Sequence, residues 1–309
     1  MGSEKQSRNL QELSDEDECT ALVQHNQYGI GSSFSNDESL VCATPSGEIY
    51  NVDVPPGWTK QKEKDGDLTS GTTKLVFAKG TTVDTSTGKV NTMSLPDLKG
   101  NGNKGRKTQI RHLATIGSKT VLLVRVLASN AMTGFSNAQL SDGAFGTNGD
   151  PINLKTQYES CSYGQLQMGP AVDRASHVDD GNINTNIVNG ATTVTIAATV
   201  GIQSQNTMTN QVTAALIIQF SVLSPDELAD HVMYCLPPNS FDGIAYAYIY
   251  NWLSVYKDEW CTYVSAQMHE LGHNLGLAHS NEDNEEYADQ SGLVRSYHSN
   301  TVSPSTRVK

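Results

Sequence analysis

The stretch Met268 to Ser280 reads Met-His-Glu-Leu-Gly-His-Asn-Leu-Gly-Leu-Ala-His-Ser, and it constrains the chain more than any other because its three histidines and one glutamate are spaced to suit a single cation. Residues four apart on a helix stand one above the other on the same face, so His269 and His273 can offer two imidazole nitrogens to one metal ion. Glu270, next to the first of them, projects beside the ion and is placed as a general base. Gly276 permits the left-handed backbone that ends a helix, and the reversed chain can bring His279 back as a third ligand. Three neutral imidazoles leave a fourth position open. That opening separates a catalytic zinc site from a closed structural one: water bound there falls to a pKa of about 7 and becomes a usable nucleophile. The pattern therefore points to metal-dependent hydrolysis. The competing explanation is a helix with solvated histidines. With only 8 histidines in 309 residues, however, the five specified positions coincide by chance in roughly one chain in 10^4 to 10^5 of this length.

At 309 residues and 37% hydrophobic content the chain is globular, with room for one large domain or two smaller ones. A net charge of -12 and a pI near 5.0 argue against a nucleic-acid partner. The charge is unevenly spread, with 2 basic and 10 acidic residues in 1–59, 12 and 5 in 60–119, and 7 and 18 in 120–309. The middle stretch is thus a basic island, read as a solvated lysine-rich surface. No apolar run approaches the roughly 20 residues that cross a bilayer, so no membrane span is expected. Residues 1–29 lack the apolar core of a signal peptide, and Gln6 stands where N-myristoylation needs serine or threonine. Cys19, Cys42, Cys161, Cys235 and Cys261 are odd in number and contain no close pair. A cysteine-based zinc site is therefore not expected, and structural disulfides or buried thiols are.

Residues 1–40 are acidic and polar, with Asp15 to Glu18 as a continuous charge run, and are expected to be a disordered tail. Residues 41–97 contain short alternating runs, Ile49 to Val54 and Thr73 to Phe77, separated by turn residues such as Pro55-Pro56-Gly57, which suggests a small β-rich region. Residues 98–117, rich in glycine and lysine with little to bury, are the candidate linker. A new core then opens at Thr120 to Ala128, an aliphatic run of the kind found in a strand covered on both faces. Thr192 to Val200 predicts another strand, Thr209 to Val222 a helix, and His231 to Leu236 and Gly243 to Tyr250 two more strands. Asp258 to Leu277 is expected to hold the metal helix. Strands and helices that alternate without a regular βαβ period give an α+β class with a mixed sheet over residues 118–309. His25, His112, His177, His231 and His298 have no partner at ligand spacing and are read as surface or core histidines.

Several segments together resemble the gametolysin family of metzincin zinc peptidases, known from algal cell-wall and matrix lysis. They are Cys161-Ser162-Tyr163-Gly164 with Leu166, Ala229 to Pro237, Ala245 to Tyr248, Gln267 to Ser280, and Tyr287 to Gly292. The resemblance implies a zincin-like catalytic domain with a twisted sheet over the active-site helix, preceded by a propeptide. It implies Zn2+ held by His269, His273 and His279, Glu270 as general base and later general acid, a protein or glycoprotein substrate, and secretion. It also implies a methionine turn beneath the metal, yet Leu293-Val294-Arg295 follow Ser291-Gly292 and no methionine occurs after Met268. The catalytic region is accordingly expected to be truncated at its C-terminus. Tyr297 is a candidate hydroxyl donor. The alternative function is a catalytically impaired relative acting as a binding or matrix protein; a purely structural zinc site is disfavoured by the absent fourth protein ligand.

If the chain matures by proteolysis, the cut is expected near Arg106-Lys107, where dibasic sequence coincides with the polar linker and separates the basic island from the acidic catalytic part. N-terminal sequencing of secreted material checks this, and a mature start well inside the core that follows Thr120 would refute it.

Overall fold

The aliphatic run that opens the second half forms the longest strand of the sheet, and Val121, Leu122, Leu123 and Val124 within it are completely buried. Both faces of such a strand need a covering layer. The computed structural model describes residues 10–12, 19–27, 38–100, 116–172, 187–201, 203–277 and 279. In chain order the first part contains β1 (Leu10–Glu12), β2 (Cys19–Gln27), β3 (Glu38–Ala43), β4 (Ile49–Asn51), α1 (Trp58–Asp65), β5 (Lys74–Val76), β6 (Thr82–Asp84), β7 (Lys89–Asn91) and β8 (Asp97–Lys99). The second contains β9 (Gly117–Leu127), α2 (Asn137–Phe145), α3 (Leu154–Cys161), β10 (Leu166–Pro170), β11 (Ala191–Thr195), α4 (Gln205–Phe220), β12 (His231–Leu236), β13 (Ala245–Tyr248), β14 (Leu253–Lys257) and α5 (Val264–Asn274).

Among the described residues all 14 strands belong to one mixed sheet, whose main path runs β1-β6-β7-β4-β3-β2-β13-β14-β12-β9-β10. Within the second part, β9, β10, β11, β12 and β14 run parallel, and β10 and β11 share one edge of β9 in succession. β13 is antiparallel to β14 and would end that parallel set. It is joined on its other side by β2, again antiparallel, with Ala247 opposite His25. The whole is an α+β architecture.

Helices cover the second part on both faces. Met208, Val212 and Leu216 of α4 pack on one face against Val124, Val232, Tyr234 and Tyr246. The hydroxyls of Tyr246 and Tyr234 meet Thr209 and Thr213 at 2.8 and 3.0 Å, so the aromatic payload is buried without stranding its polar ends. On the opposite face α2, α3 and α5 contribute Leu140, Leu154, Tyr158, Met268 and Leu271, which pack against Leu123, Met233 and Tyr256. Helix starts follow local chemistry: Ser136 and Asn153 form capping boxes with Gln139 and Thr156, and the Ser204 side chain accepts from the Thr207 N–H.

The structure differs from the sequence expectations at several points. Cys19–Gln27, inside the stretch expected to be a disordered tail, is a nine-residue strand with Ala21, Leu22, Val23, Gln24 and His25 buried. The apolar run Ala21-Leu22-Val23 outweighs its acidic surroundings, and the Cys19–Cys42 disulfide pins it to β3. The β-rich region at 41–97 has its own core, including Leu40, Tyr50, Leu68 and Leu75, yet it continues the same sheet. Leu98 and Lys99, assigned to the linker, belong to β8, and Gly117 opens β9; residues 101–115 lie outside the described set. The expected strand at Thr192 to Val200 stops at Thr195, and Asp258 to Cys261 form a short 3-10 turn ahead of α5. Cys161 is the one free cysteine among the described residues, and Cys235 pairs with Cys261.

His231, 6% exposed with neither ring nitrogen hydrogen-bonded among the described residues, gives a pH prediction. Burial lowers its pKa to about 4, against a smaller opposing pull from Asp230. A depressed folded-state value contributes stability above the unfolded pKa of about 6.5, and that contribution disappears as pH falls through the folded value. Stability should therefore decline between pH 6.5 and pH 4, with a contribution from this group on the order of 3 kcal/mol. Denaturant melts across that range should show a shallower decline for His231→Gln than for the parent; parallel curves would refute the assignment.

Candidate metal centre

Helix α5 lies beneath β13 and β14 and is buried at every position from Ala266 to Asn274. Side chains and backbone hold it at both ends. The Cys235–Cys261 disulfide ties β12 to the turn that precedes the helix, and the Gln267 amide donates to the Cys261 carbonyl at 2.7 Å. The Tyr158 hydroxyl of α3 donates to the Met268 carbonyl at 2.9 Å. At the far end Asn274 Nδ2 donates to the carbonyls of Tyr248 and Leu253, at 3.0 and 2.9 Å, and so joins the helix to β13 and β14.

The helix closes as its glycine spacing suggests. Gly276 N–H reaches the His273 carbonyl at 2.8 Å and Leu277 N–H the Gly272 carbonyl at 2.9 Å, the paired bonds of a Schellman ending. Gly276 has φ +89, and a β-carbon there would come within 3 Å of the Tyr250 ring, whose atoms lie across it. The turn reverses the chain and returns His279 to the helix. His273 and His279 Nε2 lie 3.2 and 3.3 Å from His269 Nε2. A tetrahedral ion with Zn–N bonds of about 2.0–2.1 Å would hold its nitrogens roughly 3.3–3.4 Å apart, so three lone pairs converge at a ligand-like separation. His273 Nδ1 lies 2.8 Å from the Leu277 carbonyl, which can only accept, so Nδ1 carries the proton and Nε2 keeps its lone pair.

Glu270 is fully buried, and neither carboxylate oxygen has a hydrogen-bond partner among the described residues. Desolvation pushes its pKa well above the usual carboxylate range. An unpaired buried carboxylate costs several kcal/mol where nothing compensates it. Its place beside three convergent imidazoles is where a metal ion would supply the compensation. The donor set fits such an ion, since imidazole suits zinc and related divalent metals.

The structure thus brings together the imidazoles of His269, His273 and His279, and it buries Glu270 on the same helix. It adds one that the sequence analysis set aside. His25, on β2, is 3% exposed and stacks on His273 with ring centroids 4.8 Å apart, while meeting His279 edge-on at 5.0 Å. Ligand atoms of His25, His273 and His279 all lie within 4.8 Å of one another. Burial lowers the pKa of His25 well below its ordinary value, with further depression from His273, His279 and Lys60, so its imidazole is neutral. Sequence spacing could not reveal it, because strand pairing across the sheet brings it in. The available signal was the buried-strand character of Cys19 to Val23. His112, His177, His298, Tyr297 and the Leu293 to Arg295 stretch lie outside the described residues.

The family profile for gametolysin peptidase M11 matches residues 127–299, more than half of the chain. The protein belongs to the gametolysin M11 family. No curated protein and no solved structure matches the chain. Membership makes it a peptidase of a metal-dependent family with proteins as substrates, and the matched span contains all four residues of the motif. Among the described residues, no helix is long and apolar enough to cross a membrane.

The glycine turn gives a direct test in this M11 peptidase. Gly276→Ala should weaken metal binding at least tenfold, because its β-carbon strikes Tyr250 and its backbone is left-handed. Chelator competition measures this. A Gly276→Ala, Tyr250→Ala double variant should recover part of the loss by relieving the clash alone, and unchanged affinity in the single variant would refute the role of the turn.

Proposed function

We propose that the chain is a zinc-dependent endopeptidase of the metzincin type, with His269, His273 and His279 holding the ion and Glu270 acting as general base. The observation that carries this reading is the convergence of three Nε2 atoms, at 3.2 and 3.3 Å from His269 to its two partners, on a helix whose Glu270 carboxylate is buried and unpartnered among the described residues. When bound, zinc supplies Lewis acidity toward the scissile carbonyl and lowers the pKa of water. The chain's own residues do the rest. Glu270 takes a proton from the attacking water and returns it to the leaving amine. Burial raises its pKa in the metal-free site, the direction that favours proton uptake. The Leu277 carbonyl keeps His273 in the tautomer that points a lone pair inward.

Family membership supports an extracellular or cell-wall protein or glycoprotein as the substrate, with secretion to reach it. The matched span, 127–299, supports residues 118–309 as the catalytic region, and 41–97, which lie ahead of it, are read as propeptide-like. The retained Glu270 weighs against a catalytically impaired binding protein, because a module that only binds has no use for an isolated buried carboxylate.

Glu270→Ala should keep bound metal and lose cleavage of denatured protein substrates by roughly 10^2- to 10^4-fold, as expected when a positioned base is removed. His273→Ala should lose the metal. Atomic emission after dialysis reads the metal, and turnover with and without a chelator reads the activity. Near-parental turnover in the first variant, or parental zinc content in the second, would overturn the assignment.

A further inference from the structure

The third histidine is the one that α5 does not itself place, because His279 stands beyond the glycine turn that ends the helix. The connection between β13 and β14 is fastened to that same end. Asn274 Nδ2 donates to the carbonyls of Tyr248 and Leu253, which bracket the connection, and the Tyr250 N–H between them donates to the His273 carbonyl at 3.2 Å. Within the connection, Asn251 Oδ1 accepts from the Leu253 N–H at 3.0 Å. The His273 carbonyl also accepts from the Gly276 N–H at 2.8 Å. One carbonyl of the motif thus joins the backbone of Tyr250 to the turn.

The side chain of Tyr250 reaches the turn as well. Its φ of 56 is left-handed, a conformation that a bulky aromatic residue keeps only where its surroundings over-determine it. Glycine would adopt it without strain, so what the strained backbone delivers is the ring. A β-carbon built on Gly276 would lie 1.7 Å from Cε1, 2.2 Å from Cζ and 2.5 Å from the hydroxyl oxygen of Tyr250. The hydroxyl-bearing edge of the ring therefore rests on the bare backbone of the turn. Tyr250 is 36% exposed and Leu277 43%, so burial in the core places neither of them.

We propose that Tyr250 is a positioning residue for the third ligand: its ring seats the Gly276 turn and so sets where His279 meets the metal. His269 and His273 are spaced by the helix, whereas His279 depends on the turn, and loosening the turn bears on His279 first. A ligand must be held to within about half an ångström by its supporting shell. The proposal rests on the zinc reading above.

The test uses the full chain loaded with Co2+, with chelator competition reading affinity and the visible spectrum reading the donor set. Tyr250→Gly and Tyr250→Asn both tolerate a left-handed backbone and remove the ring. Each should weaken cobalt binding roughly three- to tenfold and diminish the visible absorption as the donor set loses a nitrogen. Tyr250→Phe keeps the ring and should match the parent. In a His279→Ala background, Tyr250→Gly should change affinity by less than about twofold, since the ligand it serves is gone. Denaturant melts of the metal-free variants verify that they fold. Equal losses in the two backgrounds, equal losses in Tyr250→Phe and Tyr250→Gly, or parental affinity and spectrum in Tyr250→Gly would each overturn the positioning role and leave the zinc reading standing. Parental cobalt affinity in His279→Ala alone would overturn both.

Discussion

Gathering imidazoles and a carboxylate where no water reaches them is unfavourable unless every remaining polar atom is supplied with a partner, and much of the architecture answers that requirement. Helix α5 is buried from Ala266 to Asn274, so the polar groups of that stretch cannot rely on solvent. Asn274 and the Gly276 turn supply hydrogen bonds at one end, while Gln267, Tyr158 and the Cys235–Cys261 link fix the other. Among the described residues, the buried polar atoms without a hydrogen-bond partner include both carboxylate oxygens of Glu270 and Nδ1 of His25, beside others away from the centre such as the His231 ring and the Asn206 amide. A buried network left partly satisfied in this way is poorly suited to stability alone and well suited to receiving an ion.

Rigidity follows from the same arrangement. The third histidine comes from a turn, which would ordinarily be the loosest part of a site. Here the Leu277 carbonyl that follows the glycine is tied to the ring of His273, so turn and helix cannot move independently. Tyr250, itself at φ 56, lies across Gly276 and fills the space where a side chain would stand. The turn is thus held at Gly276 by Tyr250 and at Leu277 by its carbonyl, although the Leu277 side chain stays 43% exposed.

The motif was legible because its information is local: a helix of period 3.6, a glycine and a return of six residues fix where His269, Glu270, His273 and His279 meet. The buried strands at His231 to Leu236 and Thr120 to Leu127 were legible for a similar reason, since apolar runs of that length have few alternatives. β14, five residues long and buried at its first four positions, and the caps of α2 and α3 escaped notice because such short segments carry little periodic signal. His25 escaped for a different reason. Nothing near it in sequence resembles a ligand, and only the antiparallel register with Ala247 brings it to the helix. Acidic composition around Asp15 to Glu18 suggested a solvated tail, whereas the few residues from Cys19 to Val23 decided the outcome by their burial.

The position of β2 in the sheet also bears on how the chain reaches its folded state. Its pairing with β3 is local, but its other edge waits for β13, more than two hundred residues further along. Pairings of such high sequence separation form late, because much of the chain must first be ordered to bring them together. Until then both β2 and β13 present unpaired edges, the feature that exposes a folding intermediate to self-association. The Cys19–Cys42 disulfide links β2 to β3, so, once formed, it keeps that local pair joined whether or not the distant edge has been completed. The N-terminal strand is in that sense a template on which the last antiparallel edge of the sheet is completed.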